Sequence, residues 1–410
     1  MKKEGSSSLR MPLHIPVADG MRALAVAIVA LYHFWQQSWL SLEFRVGSFF
    51  FTLQPIIRSG YMVVDILLLL SGFLLFLPWA KSAIRGTPTP QLREFYGKRA
   101  VRVLPSYYFT VLLVLFAFAL PGNEYKDSAE LWRDLLSHLT MTHTFMRDSY
   151  LWTKLNVVLW TLAIEAQAYV VFPFIARLFA KRPQATFACM CLTGLAYRLF
   201  ICIQFEDMRM WVNQLPAFAD VYALGMAAAY VYAYLSCRGE RPLSPAPDKN
   251  KRYTEILWTL LAAAASIGIW KLMSFQSQNF YGDRINLGQA ALRLPMAVCA
   301  AVWLVSASQS FRMFQTIFGN RILKFFAGIS FQYYIWHQYI AVRLRVNWRF
   351  PPYAAPENPQ IAGERPWQWQ YLLVCVFLNL VVAVVFTYFV ERPLARFFGG
   401  RGNGRQLPRD

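Results

Sequence analysis

Residues 60–80 read GYMVVDILLLLSGFLLFLPWA, and the only charged side chain in that run is Asp65. About 20 consecutive apolar residues are what a helix needs to cross the hydrocarbon of a bilayer. The run is apolar on every side, whereas the surface helix of a soluble domain keeps a polar face. Working outward, further apolar stretches begin near 21–40, 104–121, 157–177, 184–203, 215–236, 254–274, 288–308, 325–345 and 370–391. The expected fold is therefore all-α: a polytopic membrane protein of about ten transmembrane helices. The bulk composition agrees, at 57% hydrophobic, 15% charged and a mean hydropathy of +0.32. The Pro-rich stretches 242–247 and 351–359 read as loops, where proline cannot sustain a helix. With no repeat or composition break, residues 1–398 read as one transmembrane domain and 399–410 as a basic tail. The first apolar segment is too long for a cleavable signal and lacks a small-residue cleavage pattern.

The chain carries 41 Lys and Arg against 22 Asp and Glu, a net charge of +19. Such a surplus can mark a nucleic-acid partner, but here it is dispersed through short loops between apolar runs, which excludes a nucleic-acid face. Counted over alternate connections, 25 basic residues fall on the side of the two termini and 14 on the other. The positive-inside rule then places both termini in the cytoplasm of a cell-membrane protein. Cys189, Cys191, Cys202, Cys237, Cys299 and Cys375 lie in or beside apolar runs without ligand-like spacing, so they read as small hydrophobes and no metal site is expected.

Ionisable groups inside hydrocarbon are costly, and those present become functional candidates. In DGMRALAVAIVALYH (19–33) Arg22 and His33 stand eleven residues apart. Eleven helical steps return to within about 20° of the same face, roughly 16 Å along the axis. One stripe thus carries a cation near one membrane surface and an imidazole deeper in. An acyl-CoA donor, anionic at one end and reactive at the other, suits that geometry. Burial favours the neutral imidazole, the form that takes a proton from an attacking hydroxyl. The blander reading, a snorkelling arginine and a core histidine, is equally open on spacing alone.

The segment VADGMRALAVAIVALYH (17–33) resembles the opening signature of the acyltransferase 3 family, membrane proteins that transfer acyl groups, often acetyl, to sugars and other acceptors. Its hallmark arginine and histidine fall on Arg22 and His33. Four further segments match in order. GYMVVDILLLLSGFLLF (60–76) supplies Asp65 and Ser71, and GKRAVRVLPSYYF (97–109) supplies Arg99 and Arg102. WTLAIEAQAYVVFP (160–173) supplies Trp160, Glu165, Gln167, Tyr169 and Pro173, and FAGISFQYYIWHQYI (326–340) supplies Trp336 and His337. VERP (390–393) is similar to the family's closing segment. The family's acidic block usually holds two consecutive acids; Ala166 replaces the second, leaving Glu165 alone.

The residues also read from first principles. Arg99 and Arg102, one turn apart, can face one phosphate-rich ligand or simply anchor a helix at the membrane surface. Glu165 can orient His33, bind the acceptor hydroxyl, or form a structural pair. Asp65 is expected to pair with Arg22 or another buried cation, and Asp19 to cap the first helix. Trp336 and His337 read as packing or acceptor contacts. His138 and His143 are five residues apart, not a same-face spacing, and no metal site is expected there; His14 has no evident partner. The segment 121–157 reads as a polar cap over the cavity or a solvated helix.

The resemblance and the stripe together lead to the expectation of O-acyl transfer, most simply O-acetyl transfer. Acyl-CoA is the donor substrate, no cofactor is permanently bound, and the acceptor is a hydroxyl of a carbohydrate or lipid-linked glycan. Arg22, Arg99 and Arg102 hold the donor, His33 acts as base, and Glu165 orients it or the acceptor. Asp19, Asp65, Ser71, Trp160, Gln167, Tyr169, Trp336 and His337 support them, and membrane lipid surrounds the whole. The alternative is a transporter or flippase, which has buried charges too but calls for related halves with broken helices, and no internal repeat is visible.

Overall fold

A computed structural model describes residues 15–239, 249–279, 282–354 and 363–399, with Asn358 and Gln360. Lys2, Lys3, Arg10, His14, the Pro242–Pro247 loop and the tail beyond 399 lie outside the described residues. Ten long helices dominate: α1 (Pro16–Ser38), α2 (Val64–Arg85), α3 (Leu92–Val114), α4 (Leu159–Lys181), α5 (Pro183–Gln204), α6 (Ala219–Gly239), α7 (Lys249–Ser277), α8 (Asp283–Gln309), α9 (Arg321–Val342) and α10 (Pro366–Phe386). Among the described residues, nine runs are long and apolar enough to cross a membrane. The span expected at 325–345 forms α9 but falls short on composition. Its sequence carries Gln332 and His337, and both side chains are buried against other helices. Polar groups turned into the bundle lower a helix's mean hydropathy without exposing anything to lipid. α9 packs between α1 and α10.

α2 packs most extensively against α6. The approach is close because Gly225 faces the α2 backbone: a Cβ there would stand 2.3 Å from the Leu69 carbonyl oxygen, and one on Gly72 3.0 Å from that of Tyr222. Small residues let membrane helices meet backbone to backbone. The connection after α1 holds a two-stranded antiparallel hairpin, β1 (Glu43–Val46) and β2 (Phe49–Thr52), which the helix-period reading did not foresee. Its Phe49, Phe50 and Phe51 are exposed.

Between α3 and α4 the chain builds a cap from the helices Ser128–Leu139 and Arg147–Leu151. Asp127 caps the first by accepting from the Glu130 amide at 2.7 Å, while the Glu130 carboxylate accepts from the Lys126 amide at 2.8 Å. Tyr107 and Tyr108 of α3 donate to the carbonyls of His138 and Leu139 and tie the cap to the bundle. α1 starts differently from expectation: Pro16 occupies its first turn, Ile15 is the capping position, and Asp19 lies inside the first turn, 3.9 Å from Arg22. Proline, whose missing N–H would be unpaired there anyway, displaced the capping role expected of Asp19.

Candidate active site

Three arginines from two helices gather around one carboxylate. Arg22 of α1 lies within reach of the charges of Arg102 and Glu165, and Arg99 within reach of Arg102 and Glu165. Glu165 of α4 accepts hydrogen bonds from Ser71 at 2.7 Å and Tyr169 at 2.5 Å, both on the same oxygen. The Arg99 guanidinium sits 5.9 Å from the ring centres of Phe95 and Tyr169, and its buried Nε has no hydrogen-bond partner. Asp19 lies 3.9 Å from Arg22 and Glu391 within reach of Arg102, so the three arginines are met by three carboxylates, and the unsatisfied Arg99 N–H is what remains to offer a phosphate-bearing ligand. Ser71 and Tyr169, known from sequence only as neighbours in motif blocks, hold Glu165 in place.

His33 lies eleven residues along α1, toward the end where the cap sits. Gln36 donates through Nε2 to the Tyr32 hydroxyl at 2.7 Å, which leaves its Oε1 to accept from His33 Nδ1 at 2.7 Å. A proton on Nδ1 leaves Nε2 with a bare lone pair, the state a general base needs. The ring of His337 on α9 stands 5.0 Å from that of His33. Its Nδ1 donates to the Tyr334 carbonyl oxygen at 2.5 Å, so its Nε2 is bare too, and it is buried without a partner. Two imidazoles therefore present unprotonated Nε2 atoms in one place, an arrangement that accepts donors and offers none.

The sequence left Glu165 to orient the imidazole, bind the acceptor hydroxyl or form a structural pair; in the structure it bonds Ser71 and Tyr169, and Gln36 is the side chain on His33 Nδ1. The signal was available, since Gln36 is one helical turn from His33 and faces the same way. Asp65 pairs with Arg293 of α8 at 3.1 Å, not with Arg22, and both side chains are buried. Arg293 also donates to the Val212 carbonyl at 2.6 Å and lies 4.0 Å from the centre of the Phe218 ring. Next to it Arg198 forms a two-pronged bond with Asp220 at 2.8 and 2.5 Å. These pairs join α2, α5, α6 and α8 as scaffold.

The supporting residues divide. Gln167 donates to Thr144 at 3.0 Å and fixes the cap to α4, Trp160 packs on Phe218, and Trp336 packs on Phe386. His138 and His143 are brought together despite their spacing, with rings stacked 4.0 Å apart, because the helix ends at Leu139 and the chain folds back. Among the described residues no group of His, Cys, Asp and Glu can hold a metal ion.

A bundle of long apolar helices thus holds an arginine cluster toward one end of α1 and a pair of histidines with bare Nε2 atoms toward the other. The chain belongs to the acyltransferase 3 family, whose model, described as an acyltransferase domain, matches residues 16–389. It is similar to the peptidoglycan O-acetyltransferase OatA of Listeria monocytogenes, 23% identical over 93% of this chain and 56% of that protein. It is also similar to the O-acetyltransferase OatA of Staphylococcus aureus, 28% identical over 40% of this chain and 25% of that protein. A putative acetyltransferase, ORF330, of Acidianus two-tailed virus is 24% identical over 52% of this chain and 56% of its own length. The chain spans about half the length of the Listeria and viral relatives. No solved structure matches it.

Proposed function

We propose that this acyltransferase moves an acetyl group from acetyl-CoA to a hydroxyl of a carbohydrate or lipid-linked glycan. The observation that carries the reading is that α1 joins two sites: Arg22 stands in the arginine cluster and His33 faces His337. The names of the OatA relatives support acetyl as the group and a peptidoglycan-like glycan as the acceptor. Arg22, Arg99 and Arg102 bind the phosphates of the donor at the cytoplasmic face, the side that the positive-inside rule assigns to the connections richest in basic residues. Glu165 keeps the arginines apart and oriented. The thioester then extends along α1 toward His33, roughly 16 Å away along the helix axis.

In the transfer step His33 Nε2 takes the proton of the acceptor hydroxyl, and that oxygen attacks the thioester carbonyl carbon. The C–S bond breaks, the leaving sulfur takes the proton from the imidazolium, and an ester and a free thiol result. Gln36 holds the tautomer throughout. His337 Nε2 accepts from a neighbouring hydroxyl of the acceptor and keeps it directed into the site. The test is reconstitution in vesicles with labelled acetyl-CoA and glycan fragments. Label appearing on the glycan without glycan uptake is expected; uptake of unmodified glycan with no label transferred belongs to a carrier and overturns the reading.

A further inference from the structure

The cap carries an open cleft of about 510 Å³, walled by both of its helices. Beside it runs a smaller one of about 150 Å³ whose walls include Asn156 and Gln338, and Lys154 lines both. The two, together the cap trough, meet at Lys154, and Gln338 on the wall of the smaller one is the chain neighbour of His337 on α9. Neither has Arg22 or His33 in its walls, so the trough is separate from the donor cluster.

Its chemistry selects a ligand. Lys126, Arg133 and Lys154 are met by four carboxylates, so the larger cleft has no strong charge of either sign. Polyphosphates and nucleic acids call for a cationic lining, and lipid tails for an apolar one. Trp152 stands on the wall 61% exposed, an indole face with no protein ring against it to use that surface. Ser149, 2% exposed, lines the same wall with a hydroxyl that has no hydrogen-bond partner. An aromatic platform beside balanced donors and acceptors fits a neutral, many-hydroxyl ligand whose C–H faces stack on the ring. A cleft of about 510 Å³ with a second of about 150 Å³ beside it has room for more than one sugar.

We infer that the cap trough is the acceptor-binding site for an extended neutral glycan, which lies on Trp152 and Ser149 and delivers one hydroxyl past Lys154 and Gln338 to the histidine pair. The inference rests on the acyl-transfer reading and names the acceptor class for it.

The test uses the purified full chain carrying His33→Ala, so that binding is read without turnover. N-acetylglucosamine oligomers and glucose oligomers of one to six units serve as probes in equilibrium titrations. Affinity is expected to rise with length in at least one series. Trp152→Ala should weaken the longest bound oligomer about tenfold, the scale of one aromatic platform. Trp132, also exposed at 56% but outside the cleft, provides the control, and Trp132→Ala should leave affinity unchanged. Length-independent binding, equal losses in the two variants, or no binding in either series overturns the trough. Acetyl transfer to a small sugar alongside absent oligomer binding would sink the trough and spare the reaction. Trp152-dependent binding in a wild-type protein that transfers nothing would do the reverse.

Discussion

Replacing Gln36 with Leu tests the histidine arrangement where it is most exposed to refutation. The bond from His33 Nδ1 to Gln36 Oε1 is 2.7 Å long and partly buried, and it alone selects the Nδ1-protonated tautomer. Such a bond contributes about 0.5–1.5 kcal/mol net. Losing it lets the ring turn to the other tautomer, in which Nε2 carries the proton and cannot act as base. At about 1.4 kcal/mol per decade the tautomer ratio falls by up to about tenfold, which takes the competent fraction from about nine-tenths to about half, and the larger loss comes from the freed ring orientation. The Tyr32 hydroxyl also loses its donor. Single-turnover transfer of labelled acetyl should therefore slow about 10- to 30-fold, with the KM for acetyl-CoA unchanged because no arginine is touched. Gln36→Glu keeps an acceptor against Nδ1 and should retain most of the rate. A rate within twofold of wild type in Gln36→Leu, or a loss confined to donor KM, would refute the positioning of His33 by Gln36.

Other outcomes follow from the same geometry. Arg102→Ala should raise the KM for acetyl-CoA about tenfold, within the 1.5–3 kcal/mol of a charge-assisted bond, and make it less sensitive to salt, as measured by steady-state kinetics. Asp65→Ala leaves the fully buried Arg293 without its counter-ion and should cost about 3–5 kcal/mol in detergent unfolding, while the double change Asp65→Leu with Arg293→Met should recover much of it. Additive losses in that pair would count against the assignment. In the cap, burial pushes the Asp134 carboxyl up, but the contact with His138, the Lys154 amide and the Thr153 hydroxyl outweigh it and hold it below the usual carboxylate range. Burial, then the neighbouring His138, holds His143 well below the usual imidazole range. Both depressed groups stabilise the cap above their unfolded values, so its hydrogen-exchange protection should begin to fall below about pH 6.5 as unfolded histidine gains protons, and fall further below about pH 4. Protection that rises on acidification would contradict that sign.

How much was legible in the sequence depended on whether a property is local. The helices were, because each apolar run carries its own length: the stretch read at 184–203 is the helix Pro183–Gln204. The start of α1 was misplaced because Pro16 opens the helix ahead of the apolar run. The pairing of Arg22 with His33 followed from helical spacing, and Gln36 was open to the same argument. The partner of Asp65 was not, since Arg293 lies 228 residues away and only the packing of α8 on α2 brings them together. The stacking of His138 on His143 escaped for a related reason, because helical periodicity stops where the helix does. His337 gained its importance only when α9 packed on α1. The cap trough combines residues whose individual readings are those of a solvated surface, and its shape is a tertiary fact.

The most direct measurement is acetyl transfer by the reconstituted full chain, wild type against His33→Ala, with labelled acetyl-CoA and an oligosaccharide acceptor. The variant should insert and bind donor normally while transfer falls about 10²- to 10⁴-fold, the contribution of a positioned general base. Turnover at the wild-type rate in His33→Ala would contradict the central claim.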